Sequence, residues 1–265
     1  MRIHYTMLLL ACLTCLAACG TTQGGNGWGE NATLTPGFNR ITQAAYRAAA
    51  DPYTWVPLIG MALFGIDDND EQVSDWAVTR SPVFDDPANA EHMSERLLDI
   101  GHGAMIATVL LTPGGDSFGD TLWSKTKGYA VEWGAVRLTS NVKTGLKSAV
   151  GRERPDGVND RSFPSGHAAS AFAYSTLARR NLQATPMNDS LRSTLDVGMT
   201  LIAASAAWAR VEAQRHYPAD VLASAALANF ISVWVHDSFM GADSNVALYP
   251  EVRADQYQLT LGFAF

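Results

Sequence analysis

Cysteine is missing from almost the whole chain: all three, Cys12, Cys15 and Cys19, fall within the first 19 of 265 residues. A stable fold must therefore come from a packed core and not from cross-links, and the length suits one large domain. Basic runs are missing too. The 19 Lys and Arg stand against 26 Asp and Glu, a formal charge of −7, which argues against nucleic acid as a partner. An anionic substrate is not excluded, because a few local arginines override an average. Long apolar runs are also scarce. The stretch Val221 to Val235 is interrupted by Ser224, Asn229 and Ser232, and it falls short of the ~20 residues a membrane-spanning helix needs. With mean hydropathy near zero, the composition fits a soluble α-bundle better than a polytopic membrane protein. No internal repeat is evident, and strand-like alternation is absent until the C-terminal tail.

What is present begins with Arg2 and the apolar Met7-Leu8-Leu9-Leu10-Ala11-Cys12-Leu13, the shape of a secretory signal. It ends in Leu16-Ala17-Ala18-Cys19-Gly20, which resembles the bacterial lipobox, where the cysteine is acylated and becomes the new N-terminus. An ordinary signal peptide beside a chance cysteine is the plainer alternative; the confinement of every cysteine to this segment favours the lipoprotein. The resemblance implies a signal over residues 1–18, lipidation of Cys19 and attachment to a membrane. Because Gly20 and not Asp follows the cysteine, it also implies the outer membrane, facing the periplasm. Each buried acyl methylene contributes about 0.8 kcal/mol, so several chains anchor durably. Residues 19–37 then read as a glycine-rich flexible tether, 38–240 as a helical domain and 241–265 as a strand-like tail.

Within the domain, helical spacing marks Phe38 to Ala50, and Asp51-Pro52 restarts the chain into an apolar segment from Trp55 to Phe64. Asp67-Asp68-Asn69-Asp70-Glu71 lacks the glycine and spaced glutamate of a calcium loop; it reads as a solvated turn capping the next helix. Further helices are expected over Ala90 to Leu111, Gly119 to Val150 (with a break or two near its glycines), Ser165 to Arg179, Ser190 to Ala209 and Pro218 to His236. Met93, Trp123, Trp133 and Trp234 at helical positions read as core. His92, His102 and His236 stand alone and read as structural or surface residues. Val246 to Tyr249 and Tyr257 to Phe265 alternate with period two, a strand pattern best suited to a small hairpin.

Three motifs carry chemistry. Lys147 and Arg154 lie seven apart, two helical turns, before Pro155 ends the segment. Phe163-Pro164-Ser165-Gly166-His167 opens a helix, where the N–H groups of Ser165, Gly166 and His167 can meet an anion. In Ala209 to Asp220, Pro218 suits the first turn of a helix. That puts His216 just before the helix and Asp220 inside its first turn, where a carboxylate can hold one imidazole nitrogen. Each alone has an ordinary structural reading as a cap or dipole partner.

In this order, Lys-x6-Arg-Pro, Pro-Ser-Gly-His and Arg-x5-His-x3-Asp resemble the superfamily of type 2 phosphatidic acid phosphatases, bacterial non-specific acid phosphatases and vanadium-dependent haloperoxidases. The resemblance covers Lys147 to Asp220 by motif. It implies an all-α, compact helical bundle, here with a short C-terminal β-hairpin or strand, and a phosphatase active on phosphomonoesters, lipid phosphates or isoprenyl pyrophosphates. By the same resemblance Lys147, Arg154, Ser165, Gly166 and Arg210 bind phosphate. His216 is the nucleophile that forms a phosphohistidine, Asp220 orients it, and His167 is the acid and base for the leaving group. No metal or other cofactor is implied. Ala209 stands where the family has Ser, which puts one supporting hydroxyl in doubt. The wording Arg215 to Leu222 is closer to the lipid phosphatases than to the soluble acid phosphatases. The rival readings are a haloperoxidase with vanadate in the same cradle, and a non-catalytic envelope lipoprotein. Replacing Cys19 by Ala is expected to move the protein out of the membrane fraction, which cell fractionation checks.

Overall fold

Small residues on inner faces let the helices of this chain approach closely. In the computed structural model, which describes residues 21–22, 25–241, 246–253 and 256–263, eight helices account for most of the described residues. They are α1 (Phe38–Ala50), α2 (Pro52–Phe64), α3 (Asn69–Arg80), α4 (Pro87–Leu111), α5 (Phe118–Val150), α6 (Gly166–Ala184), α7 (Asp189–Glu212) and α8 (Pro218–Met240). The tail is an antiparallel hairpin of β1 (Val246–Arg253) and β2 (Gln256–Phe263), with Val246 opposite Phe263 and Arg253 opposite Gln256. This is the helical bundle with a C-terminal hairpin expected from the sequence. The signal-like segment and Cys19 lie outside the described residues.

Helix α8 is the axis of the bundle, packed against α1, α2, α5 and α6. It is buried on nearly every side, which explains its apolar composition: among the described residues it alone has the length and hydropathy to cross a bilayer, and a helix apolar all round belongs in a core. Helices α4, α6 and α7 pack on one another as a second group. Ala171, Ala203 and Ala206 fill their seam with almost no exposure. A buried ion cluster ties the two groups: Asp237 of α8 receives Arg47 of α1 at 3.2 Å and Arg180 of α6 at 3.1 Å.

Several expectations need correction. Helix α5 runs unbroken over Phe118–Val150 despite its glycines. Gly128 is there for close approach: a Cβ at that position would collide with the Trp28 ring. Trp28 is buried, its backbone N–H donates to the Pro113 carbonyl at 2.9 Å, and the Gly29 N–H donates to Ser124 Oγ at 2.9 Å. The end of the predicted tether is therefore packed against α5, and ordered structure begins before Thr35. Trp123 and Trp133 are 65% and 54% exposed, not core. The inner face of α5 is the stripe Ser124, Gly128, Val131, Glu132, Ala135 and Thr139, so its tryptophans fall on the outer side. Met93 and Trp234 do pack inward, Met93 against Phe84 and Ala209, and Trp234 with its indole N–H on the Ile41 carbonyl. The acidic turn is not simply solvated either, because Asp70 is 5% exposed.

Among the described residues, Glu132 is a carboxyl set deep in the bundle. It is fully buried, neither carboxyl oxygen has a hydrogen-bond partner, and Asn181 Oδ1 also lacks one. Acceptors without donors call for a proton, and burial, opposed only by Asn181, pushes the Glu132 pKa up to about 8. A carboxyl raised from 4.5 in the unfolded chain to about 8 in the fold binds more protons when folded. Its contribution is complete below pH 4.5 and is lost as pH rises through 8. Glu132→Gln is expected to raise the melting temperature at pH 8 to 9 and to leave it unchanged near pH 4, as thermal unfolding at a series of pH values would show.

Candidate active site

The three motifs converge because two helix starts and one helix end meet. At the end of α5, Gly151 adopts φ +59, a left-handed conformation open to glycine, and its N–H closes on the Lys147 carbonyl. The chain then folds back through Arg152 to Ser162: the Ser162 N–H returns to the Arg152 carbonyl, and the Arg154 N–H to that of Asn159. Ser165 caps α6 through its side chain, which accepts the Ala168 N–H. Helix α7 ends at Glu212, and the Arg215 and His216 N–H groups both return to the Arg210 carbonyl. The predicted nucleophile and a predicted phosphate ligand are thus joined through the backbone.

His216 is 2% exposed. Its Nδ1 lies 2.7 Å from the Ser162 carbonyl oxygen, which can only accept, so Nδ1 carries the hydrogen and Nε2 keeps its lone pair. The expected orienting contact is different: Asp220 Oδ2 is 3.8 Å from Nδ1, a charge contact beyond hydrogen-bond length. The Ser162 carbonyl does the orienting, and Asp220 holds Ser162. The Asp220 carboxylate accepts from Ser162 Oγ, from the Tyr217 N–H at 2.9 Å and from Arg152 at 3.0 Å. Burial works to raise its pKa; the imidazole, Ser162, Arg152 and the Tyr217 N–H outweigh it and keep it below the ordinary value. Burial pushes the His216 pKa down to about 4, against Asp220 and with help from Lys147 and Arg210. The imidazole is neutral through the physiological range.

The cations stand around it. Lys147 donates to the Arg161 carbonyl at 2.6 Å, and burial together with the charge of Arg154 pushes its pKa down to about 8. Arg210 is 4% exposed and reaches Glu91 at 3.4 Å. The Nε atoms of Arg154 and Arg210 are buried without a partner among the described residues. Two buried guanidinium donors without an acceptor suit an oxyanion. At the start of α6, the Ser165 N–H is already taken by the Asp220 carbonyl at 3.3 Å. That narrows the expected backbone cradle to Gly166 and His167. His167 Nε2 lies 2.8 Å from Glu95 Oε1. Burial, then the charge of Arg210, lowers the His167 pKa below 6.5 against the pull of Glu95.

Sequence reasoning missed five contributors. Lys143, one turn before Lys147, donates to the Gly166 carbonyl at 3.2 Å and to Ser170 Oγ at 3.3 Å; its four-residue spacing was the available signal. Arg152, inside the first motif, bridges Asp220 and Asp70 and stacks on Tyr217, its Cζ 4.0 Å from the ring centre. Asp70 also accepts the Ala219 N–H at 2.8 Å. Glu91 and Glu95 on α4 have no signal beyond their spacing of four. His102 stacks on Tyr174 and His236 pairs with Asp237, so both are structural as expected.

The model of the PAP2 superfamily matches residues 129–242, from the middle of α5 to the end of α8, and takes in all three motifs. The chain is 30% identical over 122 residues to a lipid A 1-phosphatase of Porphyromonas gingivalis. That stretch is 42% of this chain and 26% of the relative, so the chain matches about a quarter of that protein's length. A crystal structure of a transmembrane PAP2-type phosphatidylglycerolphosphate phosphatase from Bacillus subtilis shares the fold. Its TM-score is 0.50 at 22% identity, covering 72% of this chain and 94% of that one.

Arg152 is the countercharge of two buried carboxylates, Asp70 and Asp220. Removing one partner of such a cluster costs about 3–5 kcal/mol when the pair is fully buried. Its side chain is 30% exposed, so Arg152→Ala is expected to cost about 2 kcal/mol after screening, with Arg152→Lys costing less. Denaturant unfolding of the two variants against the parent chain checks this.

Proposed function

We propose that this chain, a PAP2 superfamily protein by its match over residues 129–242, hydrolyses phosphate esters through a phosphohistidine on His216. The observation that carries the reading is the pair of orphaned buried arginine donors, on Arg154 and Arg210, beside a neutral histidine whose free nitrogen is Nε2. Arg154, Arg210 and Lys147 meet the phosphate oxygens, and the N–H groups of Gly166 and His167 complete the cradle where transition-state charge collects. His216 Nε2 attacks phosphorus as the bond to the leaving oxygen breaks. His167, which holds a proton on Nε2 facing Glu95, gives it to that oxygen and then takes one from the water that releases phosphate. Side chains meet the charge, so the reading needs no metal.

A lipid phosphate fits the surroundings. An apolar cavity of about 520 Å³ is lined by Leu58, Met61, Leu146, Phe163, Leu227 and Phe230. Leu146 directly precedes Lys147, and Phe163-Pro164 directly precedes Ser165, so the cavity wall and the cradle share two chain segments. The relatives named above act on phosphorylated lipids by their names. With an acylated Cys19, the site would work beside the membrane that holds its substrate, on the periplasmic side of the outer membrane.

His216→Ala is expected to abolish phosphate release, a loss on the order of 10⁴ or more, and His167→Ala to lose about 10² to 10⁴. Phosphate release from phosphatidic acid and from a soluble phosphomonoester measures both, and EDTA should change neither rate. Full activity of His216→Ala would refute the nucleophile. The pH profile follows from the same groups. The nucleophile must be unprotonated, so kcat/KM rises through about pH 4; the acid must be protonated, so it falls again through the His167 pKa, which burial and the charge of Arg210 hold below the ordinary imidazole value. The optimum is acidic, and a further fall near pH 8 accompanies deprotonation of Lys147.

A further inference from the structure

We propose that Glu95 makes this site selective for esters whose leaving group is an alcohol and disfavours pyrophosphates. The inference rests on the phosphatase reading above and narrows its substrate class. Glu95 lies on α4, four residues after Glu91, and the two carboxylates line the side of the site that carries His167. Glu95 Oε1 is 2.8 Å from His167 Nε2, and its side chain is 57% exposed, so it stands at the mouth. Glu91 is turned inward, with one oxygen on Arg210 at 3.4 Å and the other on Arg215 at 2.8 Å. Lys143, Arg154 and Arg161 act on Lys147 at the end of α5, and Lys143 and Arg210 also act on His167. Glu95 is the carboxylate in contact with His167, whereas the cations gather around Lys147 and Arg210.

The chemistry at His167 gives that division a consequence. An ionised carboxylate only accepts, so His167 Nε2 presents its hydrogen towards Glu95. A leaving oxygen that is to receive this proton must come to the same place, beside or instead of Glu95 Oε1. When the P–O bond of a monoester breaks and the proton moves from His167, the leaving group is a neutral alcohol, and its new O–H can donate to Glu95. When the bond broken lies between the two phosphorus atoms of an alkyl pyrophosphate, the leaving group is an alkyl monophosphate. It keeps negative charge after protonation and meets the Glu95 carboxylate directly. Of the cations near that side, Arg210, which acts on both His167 and Glu95, is assigned to the transferred phosphate, and Arg215 is held by Glu91 and by Asp156 at 2.8 Å. Like charges a few ångströms apart repel, to a degree that the exposure of Glu95 keeps modest.

The experiment compares kcat/KM at pH 6 for a soluble alkyl phosphomonoester and a short-chain isoprenyl pyrophosphate in the parent chain, Glu95→Gln, Glu95→Lys and Glu95→Asp. The parent should prefer the monoester. Glu95→Gln should shift the ratio towards the pyrophosphate by about tenfold, Glu95→Lys further, and Glu95→Asp should keep the parent's preference. A structural role would slow both substrates together and leave the ratio alone. An unchanged ratio in active Gln and Lys variants, or a parent that prefers the pyrophosphate, overturns the selectivity and leaves the phosphatase reading intact. Loss of both activities in Gln with the parent's ratio kept in Asp also overturns it, by giving Glu95 a part in the chemistry of either leaving group. A parent that releases phosphate from neither substrate overturns the phosphatase reading and this inference with it.

Discussion

The Asp220 carboxylate has to stay charged with no exposure to water, and the rest of the site is arranged around that demand. A buried carboxylate is tolerable only when it is paired and hydrogen-bonded. Asp220 draws those bonds from separate parts of the chain: Arg152 and Ser162 from the loop after α5, and the Tyr217 N–H from its own helix start. Its backbone carbonyl also accepts from the Ser165 N–H and from Ser224 Oγ. Through Arg152 the set extends to Asp70 on α3, which in turn accepts the Ala219 N–H. Satisfying one carboxylate therefore fixes α8, the start of α6 and the loop between α5 and α6 relative to one another. Ser162 then converts that arrangement into chemistry, because its hydroxyl serves Asp220 while its carbonyl holds His216 Nδ1. The proposed nucleophile is aimed by a residue whose position the carboxylate dictates.

Such a network needs backbones close together, and the composition provides for it. Ala168, Ala207 and Val211 meet under the site with Ala77 and Val221. Alanine buries little area per residue, about 0.8 kcal/mol per methylene-sized group, so close approach here serves geometry more than it adds stability. The large apolar side chains that a leucine-rich core would use are found instead on outer faces, Leu122 and Trp123 on α5 and Val197 and Leu201 on α7 among them. An interior of small residues and polar clusters, with bulky residues outside, is a different solution from an oil-drop core, and it explains why helical periodicity alone assigned Trp123 and Trp133 to the wrong side.

Helix existence, order and type were legible in the sequence, because Pro, Gly and Asp punctuate the chain at Asp51-Pro52, Pro113-Gly114 and Pro218 and those residues stop or start helices for steric reasons. The predicted site residues were legible for the same reason: Ser165 and Pro218 open helices, which sets where His167, His216 and Asp220 fall. Contacts between distant segments were not legible. Asp70 sits in an acidic turn that reads as solvated, and only the arrival of Arg152 and the start of α8 makes it buried. Glu91 and Glu95 look like the charged face of any helix until α4 is laid beside Arg210 and His167. Arg152, two residues from Arg154, shows the limit most clearly, since spacing cannot say which of two neighbouring arginines turns to a carboxylate and which stays open.

That difference in pairing is what separates structural from functional charge in this acidic chain. Arg152 and Arg215 each face two carboxylates and are spent on holding the fold together. Arg154 has no ion pair among the described residues, and Arg210 has a single long one at 3.4 Å; both keep a buried Nε with nothing to donate to. A net charge of −7 therefore does not weaken the case for an anion site, because affinity depends on which cations are left uncompensated at one point and not on the sum over the surface. The same reasoning assigns the carboxylates. Asp70, Asp156 and Asp220 neutralise arginines, whereas Glu95, more than half exposed, meets only the His167 imidazole among the described residues. In the proposed reading, the arginines with a spare donor set where a phosphate binds, and the carboxylate facing His167 sets what can leave it.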